Sequence, residues 1–318
     1  MTEPLLAPSF LYMLDRLTLV SRRVRAGTFK GERRSPHRGG SVEFADFREY
    51  APGDDFRQID WNAYARLERL FLRLFVEEED ATVHVIVDAS QSMDWGEPNK
   101  WAYAQRVAAA LGYVALIGMD RLVGAAIGKP NPPAPFPRRE GESALLSPTR
   151  RGAGGEVFAV FPPHRGKNRA LAWFDWLGGL KPGGQAEPAS ALVRYAASIR
   201  RPGPLVVIGD LMDDGWREGI QRLAERRYEV TVLHLLAPQE ASPELEGDLK
   251  LVDSETSADA EITADFDLLA RYRARVQDWR EEWTRFCSAR AIIYAPVETS
   301  LPFEDLVMAF LRQHGVLR

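Results

Sequence analysis

The chain has 318 residues, 45% of them hydrophobic and 27% charged, with a formal net charge of -4. That length can bury a large core, the composition excludes wholesale disorder and a membrane class, and the negative balance argues against a general nucleic-acid binder. The single cysteine, Cys287, can build neither an internal disulfide nor a cysteine-rich zinc site, so the expected compartment is the cytoplasm.

The chain opens without a basic-then-apolar signal, and its longest apolar run, 107–119, falls short of the ~20 residues that span a bilayer. No export signal or membrane anchor is therefore expected. Leu6, Phe10, Leu14 and Leu17 follow at helical spacing. Next, Arg22, Arg23, Arg25, Lys30, Arg33, Arg34 and Arg38 stand against one acid, Glu32, which reads either as a solvated face or as a patch for an acidic partner or nucleic acid. Residues 1–79 are expected as an N-terminal segment and 80–318 as the main domain.

From residue 80, apolar runs at 83–87, 121–127, 157–161, 205–209, 230–236 and 291–294 alternate with helical patterns at 100–118, 168–180, 188–200, 216–227, 265–289 and 302–313. That rhythm predicts an α/β sheet. In the long helix, Phe266, Leu269, Tyr272, Val276, Trp279, Trp283 and Phe286 form one stripe, expected to pack on the sheet. Residues 128–155 break the rhythm with Pro130, Pro132, Pro133, Pro135 and Pro137 and a glycine-rich end, and read as an irregular surface insertion.

The chemistry concentrates where the first apolar strand runs into Asp88-Ala89-Ser90-Gln91-Ser92-Met93. Ligands bind at the carboxyl ends of strands in open parallel sheets. One carboxylate and two hydroxyls at alternating positions offer hard oxygen ligands of low charge, which suits Mg²⁺. The competing reading has Ser90 and Ser92 capping a turn or helix while Asp88 closes the strand. The five histidines show no His-Glu-x-x-His spacing, and His84 and His234 are expected as packed strand residues.

Asp88-x-Ser90-x-Ser92-Met93 resembles the metal-ion-dependent adhesion site of von Willebrand factor A-like domains. The stretch before it, including Arg48-Glu49-Tyr50-Ala51-Pro52-Gly53-Asp54-Asp55-Phe56-Arg57-Gln58-Ile59-Asp60-Trp61, resembles the signature of the bacterial family known as domain of unknown function 58. The resemblance implies a doubly wound, mostly parallel von Willebrand factor A-like sheet with an N-terminal extension, in which the second and third strands of the domain form an antiparallel edge hairpin. It implies Mg²⁺ or Mn²⁺ as cofactor and Asp210 as a further ligand. It also implies a threonine ligand, but the corresponding loop, Gly183-Gly184-Gln185-Ala186-Glu187, has none, leaving Gln185 or Glu187 as substitutes. Asp54, Asp55, Arg57, Asp60 and Trp61 read as a capped turn entering a helix or as a partner-docking face.

Two function classes compete. As an enzyme, Asp88 would be the nucleophile of a metal-dependent phosphoryl transfer, but the second aspartate such chemistry uses two residues later is replaced by Ser90. As a binding module, the same residues hold an ion whose coordination a partner carboxylate completes, and no catalytic group is needed. The family resemblance points to a MoxR-type AAA+ ATPase or its client as partner. The expectation is therefore a protein-binding module rather than an enzyme, with nucleic-acid binding through residues 22–38 a weaker alternative.

Overall fold

The computed structural model describes residues 4–17, 42–51, 56, 59–77, 81–128, 159–198, 201–252, 259–313 and 316–317. The basic stretch from Arg22 to Arg38, Asp54, Asp55, Arg57 and the insertion beyond Gly128 lie outside the described residues. The chain divides into two compact units, 1–21 together with 81–318, and 22–80. The N-terminal segment expected over 1–79 thus splits near residue 21. Its first helix, α1 (Pro8–Leu14), buries Phe10 and Leu14, and with Leu6 and Leu17 these belong to the core of the larger unit. The Phe10 ring meets Phe303 edge-on at 4.9 Å.

In the smaller unit, β1 (Val42–Glu49) pairs antiparallel with β2 (Phe71–Glu77), with a register shift between Phe44 and Asp46. The helix between them, α2 (Trp61–Leu67), starts at Asp60, whose side chain accepts from the N–H groups of Asn62 at 2.9 Å and Ala63 at 3.1 Å. Two of the four orphan donors of the helix start are satisfied this way. The helix ends where Glu68 takes a left-handed backbone, φ 52°.

The larger unit carries a six-stranded sheet. Its strands are β3 (Thr82–Asp88), β4 (Arg121–Ile127), β5 (Ala159–Arg165), β6 (Pro204–Gly209), β7 (Glu229–Leu236) and, after a separate hairpin of β8 (Gly247–Val252) and β9 (Asp259–Ala264), β10 (Ile293–Glu298). The order across the sheet is β10-β7-β6-β3-β4-β5. All neighbours run parallel except β4 and β5, whose antiparallel pairing matches the expected edge hairpin. Both faces are covered, so the central strands read as near-continuous apolar runs; every residue of β3 is buried. Strand alternation sends Val83, Val85 and Val87 to one core and Ile86 to the other.

On the first face lies α3 (Lys100–Ile117), buried along almost its whole length, with α4 (Ala170–Gly179) beside it. Trp173 of α4 wedges between α3 and β4 because two glycines leave room: a Cβ on Gly112 would stand 2.3 Å from its Nε1, and one on Gly124 2.4 Å from its ring. On the second face lie α5 (Pro188–Ser198), α6 (Gly215–Glu225) and the C-terminal part of α8 (Phe266–Ser288), with the short α7 (Pro238–Ala241) after β7. A terminal helical stretch contains a π turn over Leu306–Phe310.

Three expectations shift. The edge strands β5 and β10 extend beyond the predicted 157–161 and 291–294, through Pro162, Pro163 and Pro296, because an edge strand tolerates residues without an N–H. The β8–β9 hairpin has no counterpart among the predicted strands. The apolar stripe of α8 packs only at its C-terminal end: Trp283 is 1% exposed, while Phe266 is 80% and Tyr272 40% exposed. Among the described residues, no helix is long and apolar enough to cross a membrane.

Candidate functional site

The chain leaves β3 for β4 on one side and later returns to β6 on the other, so the crevice between β3 and β6 is the point where strand order reverses. Val87 lies level with Ile208, which brings the next residues, Asp88 and Gly209, side by side and Asp210 just beyond. Glycine is required at 209, since a Cβ there would sit 2.7 Å from that of Asp88. Asp88 and Asp210, both 1% exposed, thus come together from strands more than a hundred residues apart in sequence.

Beyond β3 the chain turns tightly. The Ser90 N–H donates to Asp88 Oδ1 at 2.9 Å, and the Ser90 and Ser92 hydroxyls are 2.9 Å apart. Ser90 makes no side-chain cap to the short turn that follows, and α3 is capped by Asn99, which accepts from the Ala102 N–H at 3.0 Å. The loop before α5 is stitched to this turn, Gly183 N–H to Ala89 O and Gln91 N–H to Gly184 O, both 2.9 Å. That loop therefore borders the cluster as expected, but the Gln185 and Glu187 side chains are exposed.

The sequence reading missed Lys100. This first residue of α3 is fully buried, and its ammonium donates to Asp210 Oδ2 at 2.8 Å and to Glu240 Oε1 at 2.5 Å. Glu240 in turn accepts from the Ala237 N–H at 2.8 Å, closing the first turn of α7. A lysine at a helix N-terminus opposes the macrodipole, and that misfit was the available signal. Burial works against the Lys100 charge, but the Asp210 and Glu240 carboxylates outweigh it and hold the ammonium above its usual range. Asp210 accepts a further bond from the Met212 N–H at 3.3 Å, so each of its oxygens already has a donor.

Asp88 is the group under electrostatic stress. Burial, and then the neighbouring Asp210 carboxylate, lift its carboxyl to about 8 against the opposing pull of the Ser90 bonds and Lys100. Two carboxyls face one crevice while the ammonium is shared with a third. A divalent cation would relieve that charge, and Asp88 with the two hydroxyls supplies the hard, sparsely charged oxygen set that Mg²⁺ or Mn²⁺ takes. The donor set fits such an ion only if the hydroxyls count, since no group of three or more His, Cys, Asp or Glu among the described residues could hold a metal.

The remaining candidates fall elsewhere. Asp60 caps α2 and Trp61 is 60% exposed on it, both in the smaller unit. His84 and His234 are packed strand residues, as expected, with Nδ1 against the Tyr195 hydroxyl at 2.8 Å and the Tyr294 hydroxyl at 2.6 Å. Cys287 is buried, and burial pushes its thiol up to about 12.

The family described as protein of unknown function DUF58 matches residues 46–282, most of the chain and all of the site. The chain belongs to the DUF58 family. Curated relatives of this DUF58 chain include uncharacterized protein Rv1480 of Mycobacterium tuberculosis and uncharacterized protein Mb1516 of Mycobacterium bovis, each 26% identical over 261 residues that cover 81% of this chain and 75% of the relative. Among solved structures, BatB from Bacteroides thetaiotaomicron aligns at a TM-score of 0.39 and 13% identity, and an aerotolerance-related membrane protein from Bacteroides fragilis at 0.42 and 14%. Each covers 74% of this chain and 98% of the other. At those scores they add nothing to the reading of the site.

Proposed function

We propose that this DUF58 protein is a protein-binding module whose partner contact runs through a divalent ion, Mg²⁺ or Mn²⁺, held by Asp88, Ser90 and Ser92 with Asp210 behind them. The observation that carries the reading is the Ser90–Ser92 hydroxyl pair, 2.9 Å apart beside the buried Asp88 carboxyl at the crevice where strand order reverses. Bound there, the ion would supply an electrophilic position that a partner carboxylate can fill. Following the family resemblance, the proposed partner is a MoxR-type AAA+ ATPase or its client, met in the cytoplasm.

Phosphoryl transfer through Asp88 has less support. The Lys100 ammonium, fully buried, is already engaged by the Asp210 and Glu240 carboxylates. Position 90 also offers a hydroxyl where a carboxylic acid would be needed. Nucleic-acid binding through residues 22–38 has only the local charge in its favour.

Calorimetric titration with Mg²⁺ tests the site: wild type should bind and a Ser90→Ala, Ser92→Ala double variant should not, whereas equal binding puts the ion elsewhere. A pull-down with the candidate ATPase in Mg²⁺ and in EDTA, repeated with Asp88→Ala, tests the contact. Equal recovery in all three conditions rejects the metal bridge.

A further inference from the structure

The loops that surround the cluster carry a surface of their own. Trp95, three residues past Ser92, is 45% exposed, and Met212, two past Asp210, is 50% exposed. Both follow the carboxyl ends of adjacent strands, and both loops are tied to the cluster, by the Met212 N–H to Asp210 and by the Met93 N–H to Ser90 O at 3.2 Å. Large apolar side chains left in water beside a polar centre mark a contact surface. Around them, Asp94, Glu97, Glu187, Asp213 and Asp214 are all exposed, against one exposed cation in the same three loops, Lys181.

The backbone at this rim is also held in a costly shape. Leu211, between Asp210 and Met212, has φ 56°, the left-handed region that a branched side chain rarely adopts. Strain of this kind survives where the surroundings over-determine it, and here it turns Met212 outward next to the cluster.

We infer that this rim selects a partner segment in which the carboxylate is flanked by basic and aliphatic residues. The inference rests on the metal-dependent reading above. A partner patch that was acidic throughout would bring its carboxylate to the ion only against five rim carboxylates. Like charges set face to face across an interface suppress a wrong partner, and opposite charges steer the right one. Lys or Arg on either side of the carboxylate answers the acidic rim, and Leu or Met beside it covers Trp95 and Met212.

The test uses the full chain and three synthetic peptides of equal length, read by fluorescence anisotropy. The first has one Glu between Arg, Lys and Leu flanks, the second has the same Glu between Asp flanks, and the third repeats the first with Gln for Glu. In Mg²⁺ the first should bind about tenfold more tightly than the second, the order expected of a few rim charge pairs. It should weaken in EDTA and when Glu becomes Gln, and the preference should narrow in an Asp213→Asn, Asp214→Asn variant. Equal binding of both Glu peptides, lost in EDTA, overturns the rim proposal while leaving the metal site standing. Binding of the basic peptides that ignores both EDTA and the Glu-to-Gln change overturns the metal reading beneath it.

Discussion

The two sides of the Asp88–Asp210 crevice are wired differently. On the Asp210 side, one ammonium ties the end of β6 to the start of α3 and to α7, so three elements meet in a buried ion network. On the Asp88 side the bonds are local: Asp88 to Ser90 and Ser90 to Ser92, all within five residues. The first arrangement joins separate parts of the fold, with one ammonium offsetting part of the charge of two carboxylates. The second leaves a carboxyl that burial and a like charge keep far from its preferred state.

Lys100→Ala breaks that comparison most strongly. Removing the shared cation leaves Asp210 and Glu240 buried without a counter-charge, and loss of one partner of a buried pair costs about 3–5 kcal/mol. Chemical denaturation should show a loss of that size, whereas a loss under 1 kcal/mol would mean the network is not structural.

The pH dependence of the metal-free protein separates the sides next. Burial takes His84 down to about 4 and His234 to about 3. Below the ordinary imidazole value of 6.5 the unfolded chain takes up protons that these rings refuse. Stability therefore falls as pH drops from 6.5, by roughly 1.4 kcal/mol per unit for each ring. Asp88 has the opposite sign. Its folded value lies above 3.8, so the folded state holds a proton the unfolded chain has released, and its contribution declines from near pH 4 up to about 8. In EDTA the melting temperature should therefore peak near neutrality and fall toward pH 8.

Asp88→Asn sharpens that result. It keeps the acceptor for the Ser90 N–H but removes the proton to be lost, so the variant should gain on wild type by up to ~1.4 kcal/mol per pH unit through that window. Added Mg²⁺ should stabilise wild type at pH 8 and leave the variant unchanged. A variant no more stable than wild type at pH 8 would mean Asp88 is not under stress. The smallest effect belongs to Ser90→Ala with Ser92→Ala: about 1 kcal/mol in the absence of metal, the net worth of a hydroxyl hydrogen bond exchanged for water. A loss several times larger would make the hydroxyls structural and weaken the binding reading.

The doubly wound sheet was legible because strand and helix periods alternate so plainly from residue 80 onward. Asp88 stood out because it ends an apolar strand, whereas Asp210 entered only through the family resemblance. Lys100 left only the local misfit of a cation at a helix start, and nothing in the sequence pairs it with a glutamate 140 positions away. The β8–β9 hairpin escaped for a different reason: its residues are mostly exposed on both faces, so the burial that imposes a period of two is absent. In α8 the periodic pattern was read correctly as helix but wrongly as core along its whole length. Periodicity reports the existence of a face and not what meets it.

Helix α8 has 23 residues, roughly 35 Å at 1.5 Å each, and only its far end is anchored in the core. Its first ten residues are held mainly by hydrogen bonds such as Tyr272 Oη to Glu240 O at 2.8 Å and Arg273 to the Ser242 hydroxyl at 3.1 Å. Amide exchange along this one helix should accordingly be graded, fast near Phe266 and slow around Trp283. Its leading turns can fray and re-form many times within the lifetime of the folded sheet.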